Sequence, residues 1–160
     1  MDEALKKRTG WMPTSLWNQV KKNMPIPCVD IILENQHREV LLGWRLIEPY
    51  RDVWALPGGR VLKGETLQSA ADRILSEYGL SASSFHLVGV FPINFPTRSD
   101  LAICLASRRT KGVATPDGFE FSSFQWASKL PNGLGANYRR MITKWRRMKE
   151  NARALHLTAL

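Results

Sequence analysis

A chain of 160 residues, 44% hydrophobic and 23% charged, holds enough apolar material for one domain with its own core and is too apolar for disorder. The formal net charge of +9 attracts phosphate in any form, from a small nucleotide to a nucleic acid, without choosing between them. No apolar run approaches the roughly 18 residues of a membrane-spanning helix, and the opening MDEALKKRTGW lacks the pattern of a secretory signal. Cys28 and Cys104 form no metal-type spacing, so the expectation is a cytoplasmic protein with two reduced, buried thiols.

The first element is an N-terminal helical segment at about residues 11–23, clearest in TSLWNQVKKN at 14–23. Thr14 or Ser15 is placed to cap it, Leu16, Trp17 and Val20 supply an apolar side, and Pro25 and Pro27 stop it. Residues 28–34 read as a strand, Asn35 to Arg38 as a turn, Val40 to Trp44 as a second strand, and Val53 to Leu56 as a short third segment ended by Pro57-Gly58-Gly59. Leu67, Ala70, Ala71, Ile74, Leu75 and Tyr78 fall at helical spacing, which predicts a helix over 66–78 with Gly79 as a left-handed cap. Strands follow at 85–95 and 100–107 around a turn at Pro96 to Ser99, then at 119–126.

A basic C-terminal helix at about 134–153 directs Tyr138, Ile142, Trp145 and Met148 toward the core. It carries Arg139, Arg140, Lys144, Arg146, Arg147, Lys149 and Arg153, either as a solvated face or as a phosphate-binding one. Residues 1–160 thus read as a single domain of α/β (α+β) class, a mixed β-sheet with helices packed on its faces.

The segment from Pro57 to Gly79 carries the chemistry. A strand enters a Gly-Gly turn, where a backbone carbonyl can approach a ligand and serve as a hard oxygen donor to Mg²⁺. Counting by fours from Glu65 reaches Ser69, Arg73 and Glu77. Arg73 and Glu77 are neighbours on one helix face, either as an ordinary exposed ion pair or as an arginine orienting a metal-ligating carboxylate.

The order of these residues, PGGRVLKGETLQSAADRILSEYG, resembles the signature of Nudix hydrolases. Gly59 is followed after five residues by Glu65 and after seven more by Arg73, and Glu77, Gly79 and Leu80 close the pattern. The resemblance implies a mixed β-sheet sandwiched between α-helices. Ile74 stands where the family has a glutamate, Tyr78 reduces the usual acidic pair to Glu77, and one residue is missing before Gly79. Loss of those acids weakens Mg²⁺ binding, and Glu65 reads as structural, bonding the helix start or Arg73.

The stretches VDIILEN, LLGWR, VWALPGGRV and KGETL are similar to the GDP-mannose mannosyl hydrolase branch, which already lacks most helix glutamates. That resemblance implies Mg²⁺, with Mn²⁺ as the alternative ion, held by Gly58, Glu77 and Glu120. It implies catalytic roles for Arg73, Glu77 and Glu120, diphosphate or leaving-group contacts from Arg45 and Arg60, and Asp30 meeting the sugar or balancing those arginines. Trp11, Met12 and Trp17 fall in the segment that contacts the base, where Trp17 either stacks on the base or anchors its helix. The branch attacks the sugar carbon with water. Its general-base histidine would fall at Phe121 and a second histidine near Ile93, whereas His37, His86 and His156 match neither. The expected substrate is a nucleotide-sugar or other nucleoside diphosphate derivative, and the expected assembly a homodimer. The alternative is a noncatalytic nucleotide or nucleic-acid binder on the same fold.

Overall fold

The computed structural model describes residues 12–157, with side chains described up to residue 152. Trp11 therefore lies outside the described residues.

Helix α1 spans Thr14–Asn23. Neither Thr14 nor Ser15 caps it: Pro13 occupies the cap with extended backbone and no side-chain bond, and its carbonyl accepts from the Trp17 amide at 2.9 Å. Proline's restricted φ sets the chain up for the first turn, so both hydroxyl residues already lie inside the helix. The expected apolar side does not enter the core, since no residue of α1 is buried and Leu16 is 51% exposed.

Strand β1, Ile26–Leu33, is the centre of the fold. It pairs in parallel with β7, Ser99–Ser107, and antiparallel with β4, Gly58–Arg60, while β6, His86–Asn94, extends the sheet beyond β7. The result is a mixed four-stranded sheet of order β4-β1-β7-β6. All of β1 except Pro27 is buried, as a parallel strand covered on both faces requires. Pro57-Gly58-Gly59 does not simply end the preceding segment: it continues into β4, whose Gly58 lies opposite Asp30.

A second sheet of order β3-β2-β9 joins Trp54–Ala55, Val40–Arg45 and Phe121–Ala127. A third pairs β5, Leu80–Ser83, with β8, Arg109–Gly112. This third pair escapes sequence reading because LSAS is only four residues long with small side chains and RTKG carries no large apolar residue.

Helix α2, Leu67–Ser76, begins at a reciprocal capping box, in which the Ser69 amide donates to Thr66 Oγ1 at 3.1 Å and the Thr66 amide to Ser69 Oγ at 2.9 Å. It buries Ala70, Ala71, Ile74 and Leu75, but Leu67 is 38% exposed. Tyr78 is fully buried beyond the helix end, and Gly79 follows at φ +70°, as a left-handed cap requires.

Helix α3, Ala136–Leu157, buries Tyr138, Met141, Ile142 and Trp145. Met148 does not continue this row and is 37% exposed; Lys149, four residues beyond Trp145, turns toward the buried Glu34 in its place. Side chains alternate across a strand, so β1 serves both helices. On the Val29 face, Gly59 lies beneath Ile74 of α2, where a Cβ would come within 3.3 Å of its Cγ1. On the other face lie Cys28 and Asp30, with Glu34 just beyond the strand accepting from Trp145 Nε1 of α3 at 3.2 Å. No helix among the described residues is long and apolar enough to cross a membrane.

Candidate functional site

A cavity of about 300 Å³ opens where β4 meets β1. Its floor is the α3-side face of the four-stranded sheet, with Cys28 and Asp30 from β1, Gly58 and Arg60 from β4, Ile93 from β6 and Asp100 from β7. Trp17, Arg45, Tyr50, Arg98, Glu120 and Tyr138 rise around it. The fold therefore brings together Trp17, Asp30, Arg45, Gly58, Arg60 and Glu120 from five separate stretches of chain, Gly58 and Arg60 sharing β4. Met12 is not among the lining residues, and neither are Arg73 and Glu77.

Asp30 and Gly58 are mutually dependent. A Cβ at Gly58 would stand 2.3 Å from Asp30 Oδ1, so only glycine leaves the carboxylate its place. Burial pushes the Asp30 carboxyl up to about 7; Arg45 opposes the rise, while Asp100 and Glu120 add to it. A folded-state value above the unfolded one means that the native chain keeps a proton the unfolded chain releases. Stability from this group is thus complete below about pH 4 and is lost as the pH rises toward 7. Asp30→Asn is expected to remove that slope, gaining up to about 4 kcal/mol over the parent at pH 8 and little at pH 4. Urea melts at both pH values check this, and an equal gain at the two would refute it.

Arg45 stands at the end of β2, where a register shift between Trp44 and Arg45 re-aims the chain. Its Nη1 donates to Glu120 Oε1, its Nε to the Ile47 carbonyl at 3.0 Å and its Nη2 to the Glu48 carbonyl at 3.4 Å. The other oxygen of Glu120 accepts from the Tyr78 hydroxyl at 3.2 Å. Asp117 fixes the approach to β9, its Oδ1 accepting from the amides of Phe119, Glu120 and Phe121 at 3.1, 2.9 and 3.0 Å.

Arg60 lies over the Trp17 ring at 4.2 Å, and burial holds its guanidinium below the ordinary range. That contact gives Trp17 a place at the cavity rim rather than in the core. Burial, then Asp100 and Asp30, push the Cys28 thiol up to about 12, so it is no nucleophile at neutral pH.

The signature residues beyond the cavity have structural work. Arg73 Nε donates to Glu65 Oε1 at 2.6 Å, and its Nη2 donates to Glu65 Oε2 at 2.9 Å and to the Arg60 carbonyl at 2.8 Å. Glu65 also accepts from the Leu62 amide at 2.8 Å, and its bonds from Arg73 hold it below the usual carboxylate range. The pair ties the loop after β4 to α2, as expected for Glu65. Glu77 caps the C-terminus of α2, with Oε1 3.7 Å from Arg73 Nη1. Where the family places further acids, Ile74 is buried against Gly59 and Tyr78 packs on Phe121 and Phe124 at 5.4 and 5.2 Å between ring centroids.

These positions bear on a divalent ion. Gly58 and Glu120 reach the same cavity, Glu77 is off its wall, and both Glu120 oxygens already serve Arg45 and Tyr78. No group of three His, Cys, Asp or Glu side chains suited to a metal exists among the described residues. As arranged, the expected donor set does not fit a resident Mg²⁺.

Phe121, where the branch resemblance would place a general base, is fully buried, and Ile93 lies in the cavity floor. His37 is exposed in its turn and His86 exposed at the start of β6; the side chain of His156 lies outside the described residues. Sequence reading missed Arg98 and Asp100. Arg98 Nη2 donates to Asp100 Oδ2 at 2.7 Å, while Arg98 Nε and Asp100 Oδ1 are buried with no hydrogen-bond partner. The available signal was a charged TRSD turn leading into an apolar strand. The basic helix spends several of its charges on the fold: Lys149 on Glu34, Arg139 on the Pro131 carbonyl and Arg146 on the Ser128 carbonyl, while Arg140, Lys144 and Arg147 are exposed.

Residues 24–132 match the family model of the NUDIX domain, and the chain belongs to that family. Among named relatives, it is 34% identical over 119 residues to a Bacillus subtilis protein provisionally named 8-oxo-dGTP diphosphatase, covering 72% of this chain and 76% of that one. It is 39% identical over 71 residues to the low-salt glycan biosynthesis protein Agl8 of Haloferax volcanii, covering 44% of this chain and only 45% of that relative's length. In fold it is similar to the MutT NUDIX hydrolase of Burkholderia pseudomallei, with a TM-score of 0.71 at 20% identity over 76% of this chain and 98% of the other. It is also similar to the NUDIX domain of Shewanella oneidensis NrtR, solved with ADP ribose, with a TM-score of 0.68 at 19% identity over 92% and 99%.

Proposed function

We propose that this Nudix protein hydrolyses a nucleoside diphosphate derivative, with a nucleotide-sugar of the GDP-mannose type first among substrates. The observation that carries the reading is the cavity at Gly58, where Arg45 and Arg60 stand beside Asp30 and Trp17. Two guanidiniums suit a diphosphate, a carboxylate suits a sugar hydroxyl, and an indole suits a base. Arg60 already covers one face of Trp17, so a stacked base takes the other face or displaces the arginine. The glycan-biosynthesis name of the Haloferax relative supports a sugar-bearing substrate.

The test is a panel of nucleotide-sugars and nucleoside phosphates, 8-oxo-dGTP included, with Mg²⁺ or Mn²⁺, the cations that family membership implies. Products are identified at each turnover. Free sugar with nucleoside diphosphate is the expected outcome, as attack at carbon gives; sugar phosphate with nucleoside monophosphate marks attack at phosphorus. Arg60→Ala is expected to lower kcat/KM at least tenfold, as loss of a charged phosphate contact does. No turnover across the panel, or turnover indifferent to Arg60, sinks the proposal. Glu77→Gln decides whether this remaining acid of the signature helix serves the reaction or only Arg73.

The second reading, a noncatalytic nucleotide or nucleic-acid binder, draws on Phe121, whose buried ring takes the place of the branch's base. RNA binding that falls steeply with salt, without turnover of any panel member, would favour it. A homodimer and a cytoplasmic setting complete the proposal. Sedimentation at micromolar concentration checks the first, and the two free, buried thiols are consistent with the second.

A further inference from the structure

We infer that Glu120, backed by Tyr78, is a positioning residue that aims Arg45 at the diphosphate, and that it holds no divalent ion. The ligand in this inference rests on the reading above; the statement about the ion does not.

Glu120 and Arg45 are 13% and 12% exposed at their side chains, so their charges meet with little water between them. Each Glu120 oxygen has a donor, Arg45 Nη1 on one and the Tyr78 hydroxyl on the other. The guanidinium is fixed from three directions, by Glu120 and by the carbonyls of Ile47 and Glu48. Of its five N–H groups these bonds use three, and the remaining donors on Nη1 and Nη2 are held at the cavity wall. A guanidinium held in this way loses little freedom on meeting a phosphate.

A dication on Glu120 would face the Arg45 guanidinium across a site where like charges repel strongly. It would also displace the Tyr78 hydroxyl, which lies on a fully buried residue. Glu77 is turned to Arg73 at the helix end, and Ile74 and Tyr78 fill the space of the missing acids. The chain has in effect exchanged a carboxylate ladder for one buried ion pair.

The experiment combines Mn²⁺ titration of the full chain by electron paramagnetic resonance with calorimetry of GDP binding in Mg²⁺ and in EDTA. Wild type is expected to show either no stoichiometric Mn²⁺ site or one that Glu120→Gln leaves unchanged, and its GDP affinity to change less than about threefold between the two buffers. Glu120→Gln is expected to weaken GDP about tenfold and Glu120→Asp to recover part of that loss, since only a carboxylate restores the charged bond to Arg45. One Mn²⁺ per chain, abolished by Glu120→Gln, overturns the inference, as does GDP binding that EDTA eliminates or an unchanged affinity in Glu120→Gln. Should the Gln variant fail to fold, the wild-type Mn²⁺ titration and the EDTA comparison decide. Should GDP bind in neither buffer, the substrate reading and the aiming of Arg45 at a diphosphate both fail, and the titration still decides whether Glu120 holds an ion.

Discussion

Glu120→Ala is expected to destabilise the fold by about 3–5 kcal/mol, because it leaves the guanidinium of Arg45 buried without its counter-charge. The two side chains are 12% and 13% exposed, so solvent screening gives little relief. The Tyr78 hydroxyl also loses an acceptor within the cluster it forms with Phe121 and Phe124. Pairing the change with Arg45→Met is expected to recover much of the loss, since an apolar pair leaves no charge stranded. Urea melts of the parent, both single variants and the double variant form the cycle. A single-variant loss below about 1 kcal/mol, the range of exposed pairs, would show that water reaches this one.

Gly58→Ala is the second large effect. The new methyl would lie 2.3 Å from Asp30 Oδ1 and 2.9 Å from the Val29 carbonyl, and the latter belongs to the backbone of the central strand. Relieving both contacts requires the Asp30 side chain to turn away and β4 to shift from β1, with which it pairs at this point. The expected result is a loss of about 1–3 kcal/mol, as for other overpacked sites, with nucleotide affinity reduced by more than about tenfold. Gly59→Ala provides the contrast, since its Cβ would meet only the Ile74 side chain, no closer than 3.3 Å and with no backbone atom in reach. Adding Asp30→Ala to Gly58→Ala is expected to restore part of the stability but not the binding. Equal effects at the two glycines would refute the specific contact with Asp30.

Local patterns survived folding well. The spacing from Leu67 to Leu75 and Gly79 after it yielded the expected helix with its left-handed cap, because each depends on residues three or four apart on one helix, whereas Thr66, expected inside the helix, caps it instead. The Glu65–Arg73 bond was legible for a similar reason: the signature records a loop folding back on its own helix. The apolar runs at 28–34 and 100–107 likewise became buried strands.

Other features were decided by distant partners. Lys149 faces the core and Met148 does not, because Glu34, far away in sequence, offers a buried charge. Arg98 and Asp100 joined the cavity through the parallel pairing of β7 with β1, which no local spacing encodes. Glu120 met Arg45 through the pairing of β9 with β2, and that bond competes directly with the metal role that the branch resemblance implied.

By itself the sequence determined the Nudix family, the capped helix after the glycine turn, and six residues that line the cavity. Tertiary structure alone decided which acids reach that cavity and with what they are already paired. Helical periodicity follows from neighbouring residues, whereas the charge and hydrogen-bond state of a carboxylate follows from whatever strand register brings beside it.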